Sequence, residues 1–314
     1  MRPTEVRGPP GPQWALYHAG MRTRTASRSW TSAHRHAWLV IVAIAAGGGL
    51  AAGCRDEPAP RFEAPLVSGV VTLPMPSTQR FDTLLSGAGT LAALRGSDPG
   101  LKVDLVDGTV LIAHVARTDY EPSILGMGVS AMEAILERGN RLVVGSGFVS
   151  VFNPVSPLGL LQLDGKIESE LTPHGYTRIL GVRTAGLAVV GRSDYHPGMF
   201  EAAVQVGPGI IQAGKLDILQ RERNLPPYVR AFVATCEDRW LAGIAQQPMH
   251  LYDLGEMLLA YFEAETLACD EVVNLSGDRE ALLAIVSGDD RSVAYFGNPT
   301  LPKASIIAFG KPSD

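Results

Sequence analysis

The chain has 314 residues, 46% of them hydrophobic, 19% charged and only 7% aromatic, with a formal net charge of −5. That is enough apolar chain for a sizeable core in one or two domains. Its 34 Gly and 22 Pro favour a turn-rich β-containing fold over a helical bundle. An acidic balance gives no electrostatic footprint for nucleic acid, so no nucleic-acid partner is expected.

In chain order, the first signal is a basic stretch (Arg22, Arg24, Arg28, Arg35) without an acid, followed by an apolar run from Ala37 to Ala52. The run ends in Leu50-Ala51-Ala52-Gly53-Cys54, so its order is basic, apolar, small, cleavage point, the secretory layout. At 16 residues it falls short of the roughly 20 that span a bilayer as a helix. The Leu-Ala-Ala-Gly-Cys ending resembles a lipobox, with its Leu one place earlier than in the commonest version. The resemblance implies a lipoprotein signal peptide over 1–53, lipidation of Cys54 and attachment to a membrane of the cell envelope. A simple N-terminal anchor or ordinary signal peptide is the alternative. Met21 is a plausible initiator, which would leave 1–20 outside the translated chain.

Loss of residues 1–53 would remove six Arg and one Glu, taking the net charge from −5 to −10. With Cys54 lipidated, Cys236 and Cys269 remain, either paired as a disulfide in an oxidising compartment or as two buried thiols.

Residues 54–65 read as a Pro-rich, charged tether, and 66–314 as one domain. Leu101–Val106 and Thr109–Val115 are short β-like runs joined by Asp107-Gly108, a hairpin signal. Ser130 to Glu137 has helical spacing, with Ser130 and Glu133 forming a capping-box pattern, and closes at Gly139. Arg141–Val144 is a strand leading into Gly145-Ser146-Gly147-Phe148. Turns follow at Asp164-Gly165-Lys166, Gly191, Gly198 and Ala213-Gly214-Lys215. Leu251–Phe262 is the second helix, and Glu271–Leu275 a strand. Leu282–Val286, Ser292–Phe296 and Ala304–Phe309 close the chain. The predicted class is α+β: mixed, mostly antiparallel sheets with a few packed helices in a single domain.

Four segments carry a family resemblance. They are Val144-Gly145-Ser146-Gly147-Phe148 with Asn153-Pro154 and 157–166; Gln205-Val206-Gly207-Pro208 with its turn to Lys215; Arg230-Ala231-Phe232-Val233-Ala234; and Asn274-Leu275-Ser276-Gly277-Asp278-Arg279-Glu280. In order and spacing this set resembles the phosphodiester glycosidase family, the uncovering-enzyme-like domain, over roughly 100–310. The resemblance implies hydrolysis of a sugar linked through phosphate to another group. Gly-rich turns let backbone N–H groups approach an anion, an Arg grips phosphate through two parallel hydrogen bonds, and a carboxylate serves as base or nucleophile. It implies substrate binding by Gly145, Ser146, Gly147, Gly207, Arg230, Asn274, Ser276 and Gly277.

The sequence departs from the pattern where chemistry is concentrated. Gly145 replaces the family's early Asn. Ser276 replaces the Asp of Leu-Asp-Gly-Gly, and an unassisted hydroxyl is neither base nor ready nucleophile. Asp278 and Glu280 offer displaced carboxylates, which would share a face on a strand but not in a loop; as ordinary turn acids they would have no role. Two readings therefore stand: an envelope phosphodiester glycosidase using Asp278 and Glu280, or an inactive relative that binds a glycan or a protein partner.

Other signals carry less. Gly126-x-Gly128-x-x-Ala131 imitates a dinucleotide fingerprint, but no acid ends the following strand. His174, His196 and His250 lack ligand spacing, so neither a metal nor another cofactor is indicated. Asp194, His196 and a Ser make no more of a triad than chance provides.

Overall fold

In the computed structural model the described residues are 98, 100–173, 175–286 and 292–312, with the backbone of 68–72 and 83–84. The expected signal peptide 1–53, Cys54, the expected tether 54–65 and His174 lie outside them. The described residues all fall within one compact unit, Ala59–Asp314.

Three antiparallel sheets and a short ribbon carry the fold. The first sheet has seven strands in the order Thr83–Leu84, Ser68–Thr72, Ser292–Phe296, Leu283–Val286, Leu142–Ser146, Ser305–Gly310 and Glu121–Gly126. The second has five: Lys166–Ser169, Leu161–Leu163, Ala202–Val206, Arg178–Arg183 and Gly186–Gly191. The third has seven: Lys215–Leu216, Gly209–Gln212, Cys269–Gly277, Tyr228–Cys236, Arg239–Met249, Val110–Ala116 and Leu101–Val106. Phe148–Phe152 and Val155–Leu158 form the separate ribbon.

The sheets enclose one apolar core, to which the first gives Leu142, Val144 and Ile307, the second Leu161, Leu180 and Val204, and the third Leu111, Val233 and Val273. Strand alternation sorts side chains between that core and the outer layers. Along Tyr228–Cys236, Val229, Ala231 and Val233 face the shared core, while Phe232, Ala234 and Cys236 face the helix Leu251–Ala264. The helix Ala131–Arg138 covers the outer face of the first sheet with Met132 and Ile135. Two α-helices among the described residues against so many strands make the chain mostly antiparallel β, with fewer helical residues than the α+β class suggests.

Local chemistry explains the boundaries. Asp107 (φ 47°) and Gly108 (φ 66°) both adopt the left-handed turn that a tight hairpin requires. Ser130 accepts from the Glu133 backbone N–H, the Glu133 carboxylate reaches back to Ser130, and Gly139 ends the helix at φ 68°. The hairpin Tyr228–Cys236/Arg239–Met249 turns at Glu237-Asp238, without Gly or Pro, and so shows no turn signal in the sequence. Cys236 and Cys269, paired in register across neighbouring strands, are joined by a disulfide.

Candidate functional site

The four segments that carry the family resemblance meet in space, chiefly at the end of the third sheet. Arg230 pairs with Gly277, and Ala231 with Ser276, across the strands Tyr228–Cys236 and Cys269–Gly277. Gly277 then hands the chain to a 3-10 turn, Asp278–Glu280. A Cβ on Gly277 would lie 3.3 Å from an Arg230 guanidinium nitrogen, so this glycine makes room for the cation.

Arg230 is half-buried, with its guanidinium 4.8 Å from the centre of the Tyr228 ring. Its Nε is sealed from solvent without a hydrogen-bond partner, and among the described residues it forms no ion pair. Burial lowers its pKa, opposed by the charges of Glu222 and Asp278 and by Tyr228. It stays a cation, because guanidinium is not deprotonated in proteins. Glu222 sits on the 3-10 turn Gln220–Asn224. Its Oε2 accepts from the Tyr252 N–H at 3.1 Å, in the first turn of the helix Leu251–Ala264, and lies 4.0 Å from His250 Nδ1. Glu222 Oε1 and His250 Nδ1 are buried without partners. Arg230 Nε, Glu222 Oε1 and His250 Nδ1 are thus three buried polar atoms without hydrogen-bond partners.

The two candidate carboxylates do not act as a pair. Asp278 is exposed, in the left-handed region at φ 47°, and its Oδ1 accepts the Val229 N–H at 3.2 Å. Desolvation raises its pKa, with the Val229 N–H and Arg230 opposing. Glu280 turns away and is buried, 3.6 Å from Lys303 Nζ, whose side chain is 1% exposed and also donates to the Arg279 carbonyl. Burial pushes the Lys303 ammonium down and Glu280 pushes it up. The strand face that would have aligned both acids is lost because the chain turns at Asp278.

Most of the remaining motif residues have their polar atoms bound inside the protein. The fully buried Ser276 hydroxyl lies 3.2 Å from the Gly145 and Glu280 carbonyls, which share its single proton. A Cβ on Gly145 would lie 2.5 Å from that Glu280 oxygen, so the family's Asn could not stand at Gly145. Ser146 and Ser305 hydroxyls are 3.0 Å apart, and a Cβ on Gly147 would reach Ser305 Oγ at 2.6 Å. Asn274 Nδ2 donates to the Gly207 carbonyl at 2.9 Å, leaving its Oδ1 buried and unpartnered. Gln205 accepts from the Leu160 and Thr172 N–H groups and donates to the Thr172 and Tyr176 carbonyls.

No protein-family model and no curated protein matches the chain. Among solved structures it is similar to the zebrafish N-acetylglucosamine-1-phosphodiester alpha-N-acetylglucosaminidase catalytic domain auto-inhibited by its pro-peptide. That likeness has 14% identity over 69% of this chain and 86% of that one, with a TM-score of 0.49. A hypothetical protein from Synechocystis shares 11% identity over 79% of this chain and 68% of that one, TM-score 0.45. A Burkholderia pseudomallei protein described as exported shares 10% over 78% and 86%, TM-score 0.45. Nothing about this chain's chemistry follows from likenesses this distant.

Sequence reasoning missed Glu222, Tyr228 and Lys303, which stand in no motif, and set His250 aside for want of metal-ligand spacing. It also missed a polar cluster on the far side of the third sheet's helix. There a cleft of about 400 Å³ is lined by Lys102, His114, Arg239 and Glu265, among others. Tyr261 donates to Asp104 Oδ2 at 2.7 Å, and His114 Nε2 lies 2.7 Å from the Tyr261 hydroxyl and 3.1 Å from Asp104. Because the phenol proton is committed to Asp104, His114 Nε2 is the donor to the Tyr261 oxygen. Its Nδ1 is left buried and unpaired.

Two outcomes follow from these buried charges. Glu280→Ala strands the Lys303 ammonium and should lower unfolding free energy by about 3–5 kcal/mol. In urea titration a Glu280→Leu/Lys303→Met double variant should recover most of that loss, and no recovery would refute the pairing. Burial holds the His114 pKa below its ordinary 6.5, with Asp104 opposing. Below that value the unfolded chain binds the extra proton first, so stability is lost as pH falls through 6.5 toward the folded value. Thermal melts from pH 8 to 5 should show this decline, and His114→Gln should flatten it.

Proposed function

We propose that this is an exported, lipid-anchored protein with a phosphodiester-glycosidase-like domain, which binds the phosphate of an envelope sugar phosphate at Arg230 and does not cleave it. One observation carries the reading: Arg230 is a half-buried guanidinium without an ion-pair partner among the described residues, its buried Nε without a hydrogen-bond partner, on the strand where the family resemblance places an anion-gripping Arg. A planar guanidinium in that state suits two oxygens of one phosphate.

The absence of cleavage is supported by the fate of the other groups. Ser276 is bonded to backbone carbonyls, Glu280 is committed to Lys303, and Asp278 is an exposed turn acid. Two carboxylates flanking a scissile bond are what glycoside hydrolysis ordinarily uses, and here they diverge. A hydrolytic reading keeps one supporting observation, the raised pKa of Asp278 beside Arg230.

Calorimetric titration with a hexose 1-phosphate and its methyl phosphodiester should show binding that Arg230→Lys weakens by about tenfold or more, since an ammonium cannot make the two-pronged contact. Incubation of the diesters should release no sugar; turnover abolished by Asp278→Asn would make the protein a hydrolase instead. Anchoring has its own check. Metabolic labelling with an alkyne fatty acid should mark the chain, and Cys54→Ser should remove the label.

A further inference from the structure

The cleft of about 400 Å³ lined by Lys102, His114, Arg239 and Glu265 is a second candidate site, independent of Arg230. Strand pairing explains how it forms. Lys102 stands opposite His114, and His114 opposite Leu241, so Lys102, Asp104, His114 and Arg239 project from one face of the third sheet. The helix Leu251–Ala264 covers that face, since Ile112 and Leu241 pack with its Leu254 and Leu258. The segment after the helix, Glu265 to Ala268, and the turn Glu237-Asp238 complete the wall. The Glu237 N–H donates to the Ala268 carbonyl at 3.0 Å, and the Cys236–Cys269 disulfide joins the adjoining positions, so the two segments are held side by side. Arg230 lies near the opposite end of the strand Tyr228–Cys236.

The wall carries a surplus of negative charge. Three carboxylates, Glu237, Asp238 and Glu265, line it against two cations, Lys102 and Arg239. Both cations are engaged already: Arg239 binds its neighbour Asp238, and Lys102 lies 2.8 Å from Asp104 but 3.8 Å from Glu265. Glu237 is exposed and forms no ion pair among the described residues. The helix adds to the surplus. A helix C-terminus carries about half a negative elementary charge, which a basic side chain in the last turn offsets. This helix has no basic residue there, and Glu263 and Glu265 stand at its end instead.

His114 adds a second, separate observation. It is part of the cleft wall, 4% exposed, and with its Nε2 proton donated to Tyr261 its Nδ1 holds a lone pair that no donor fills. An unfilled acceptor and unneutralised carboxylates both match a cation that donates hydrogen bonds. Among the described residues no three His, Cys, Asp or Glu side chains converge as metal ligands. The charge is instead spread over a wall that it shares with Leu267 and Ala268, whose apolar surface suits methylene groups. We propose that this cleft binds an aliphatic diamine, with one ammonium at Glu237, the other at Glu265, and the chain between them against Leu267 and Ala268.

Calorimetric titration of the mature protein with 1,4-diaminobutane, butylamine, 1,4-butanediol and calcium chloride tests the assignment. The diamine should bind about tenfold or more tightly than butylamine, and neither the diol nor calcium should displace it. Glu237→Gln and Glu265→Gln should each bring the diamine down toward the affinity of butylamine. Both side chains are exposed, so the melting temperature should stay in place. Glu137→Gln, at an exposed acid on the helix Ala131–Arg138, should leave diamine binding unchanged. Equal affinity for diamine and butylamine would overturn the two-ended ligand, as would a Glu237→Gln/Glu265→Gln variant that binds like the parent. Absence of amine binding would overturn the site, and displacement by calcium would make it a metal site. An equal loss with Glu137→Gln would reduce the effect to the acidity of the whole molecule. Phosphate binding at Arg230 is measured separately, so neither result decides the other.

Discussion

A primary amide sealed from water has two N–H donors and an oxygen able to accept twice, and each unmade bond costs free energy. Gln205 is fully buried, and its amide completes all four bonds, to Leu160, Thr172 twice and Tyr176. It thereby fixes the 159–176 segment against the strand Ala202–Val206. Asn274 makes the corresponding tie two residues further on, to the Gly207 carbonyl, and links that strand's end to the third sheet. The glycines nearby follow from this: a Cβ on Gly159 would meet the Gln205 oxygen at 2.5 Å, and one on Gly207 the Thr177 nitrogen at 2.9 Å.

Because strand ends from all three sheets must meet over one core, their polar groups face each other before they can face a ligand. Ser276, Gly145, Ser146 and Gly147 form such a meeting, closed by hydroxyl-to-carbonyl bonds and by backbone in the space a side chain would need. Arg230 stands outside that knot, on the face that the helix Leu251–Ala264 covers. It is a charge the fold has partly desolvated but not paired, and so it is the group around which a ligand can be argued.

Part of this was legible beforehand. Ser130 with Glu133 announced a helix start, Asp107-Gly108 a hairpin, and the short apolar runs Leu282–Val286 and Ser292–Phe296 a pair of strands, since each depends on neighbours within a few residues. The turn at Glu237-Asp238 was not legible, for want of a local signal. Among the site residues, Arg230, Asp278 and Glu280 were named only through the family resemblance, the two acids as carboxylates displaced from the place it gives an Asp. Lys303 could not be named, because what makes it matter is a carboxylate 23 positions earlier in the chain.

The sequence by itself determined the local conformations: caps, tight turns and the period of each strand, all governed by backbone sterics and nearest neighbours. It also set the acidic charge and the order of the motif segments. Only the tertiary structure decided which polar side chains remain available. Their partners arrive from 45, 67 and 131 residues away, at Leu160 for Gln205, Gly207 for Asn274 and Gly145 for Ser276. Whether a hydroxyl or carboxylate is a reagent or a strut depends on what those distant strands bring within 3 Å or so of it, and no local pattern encodes that.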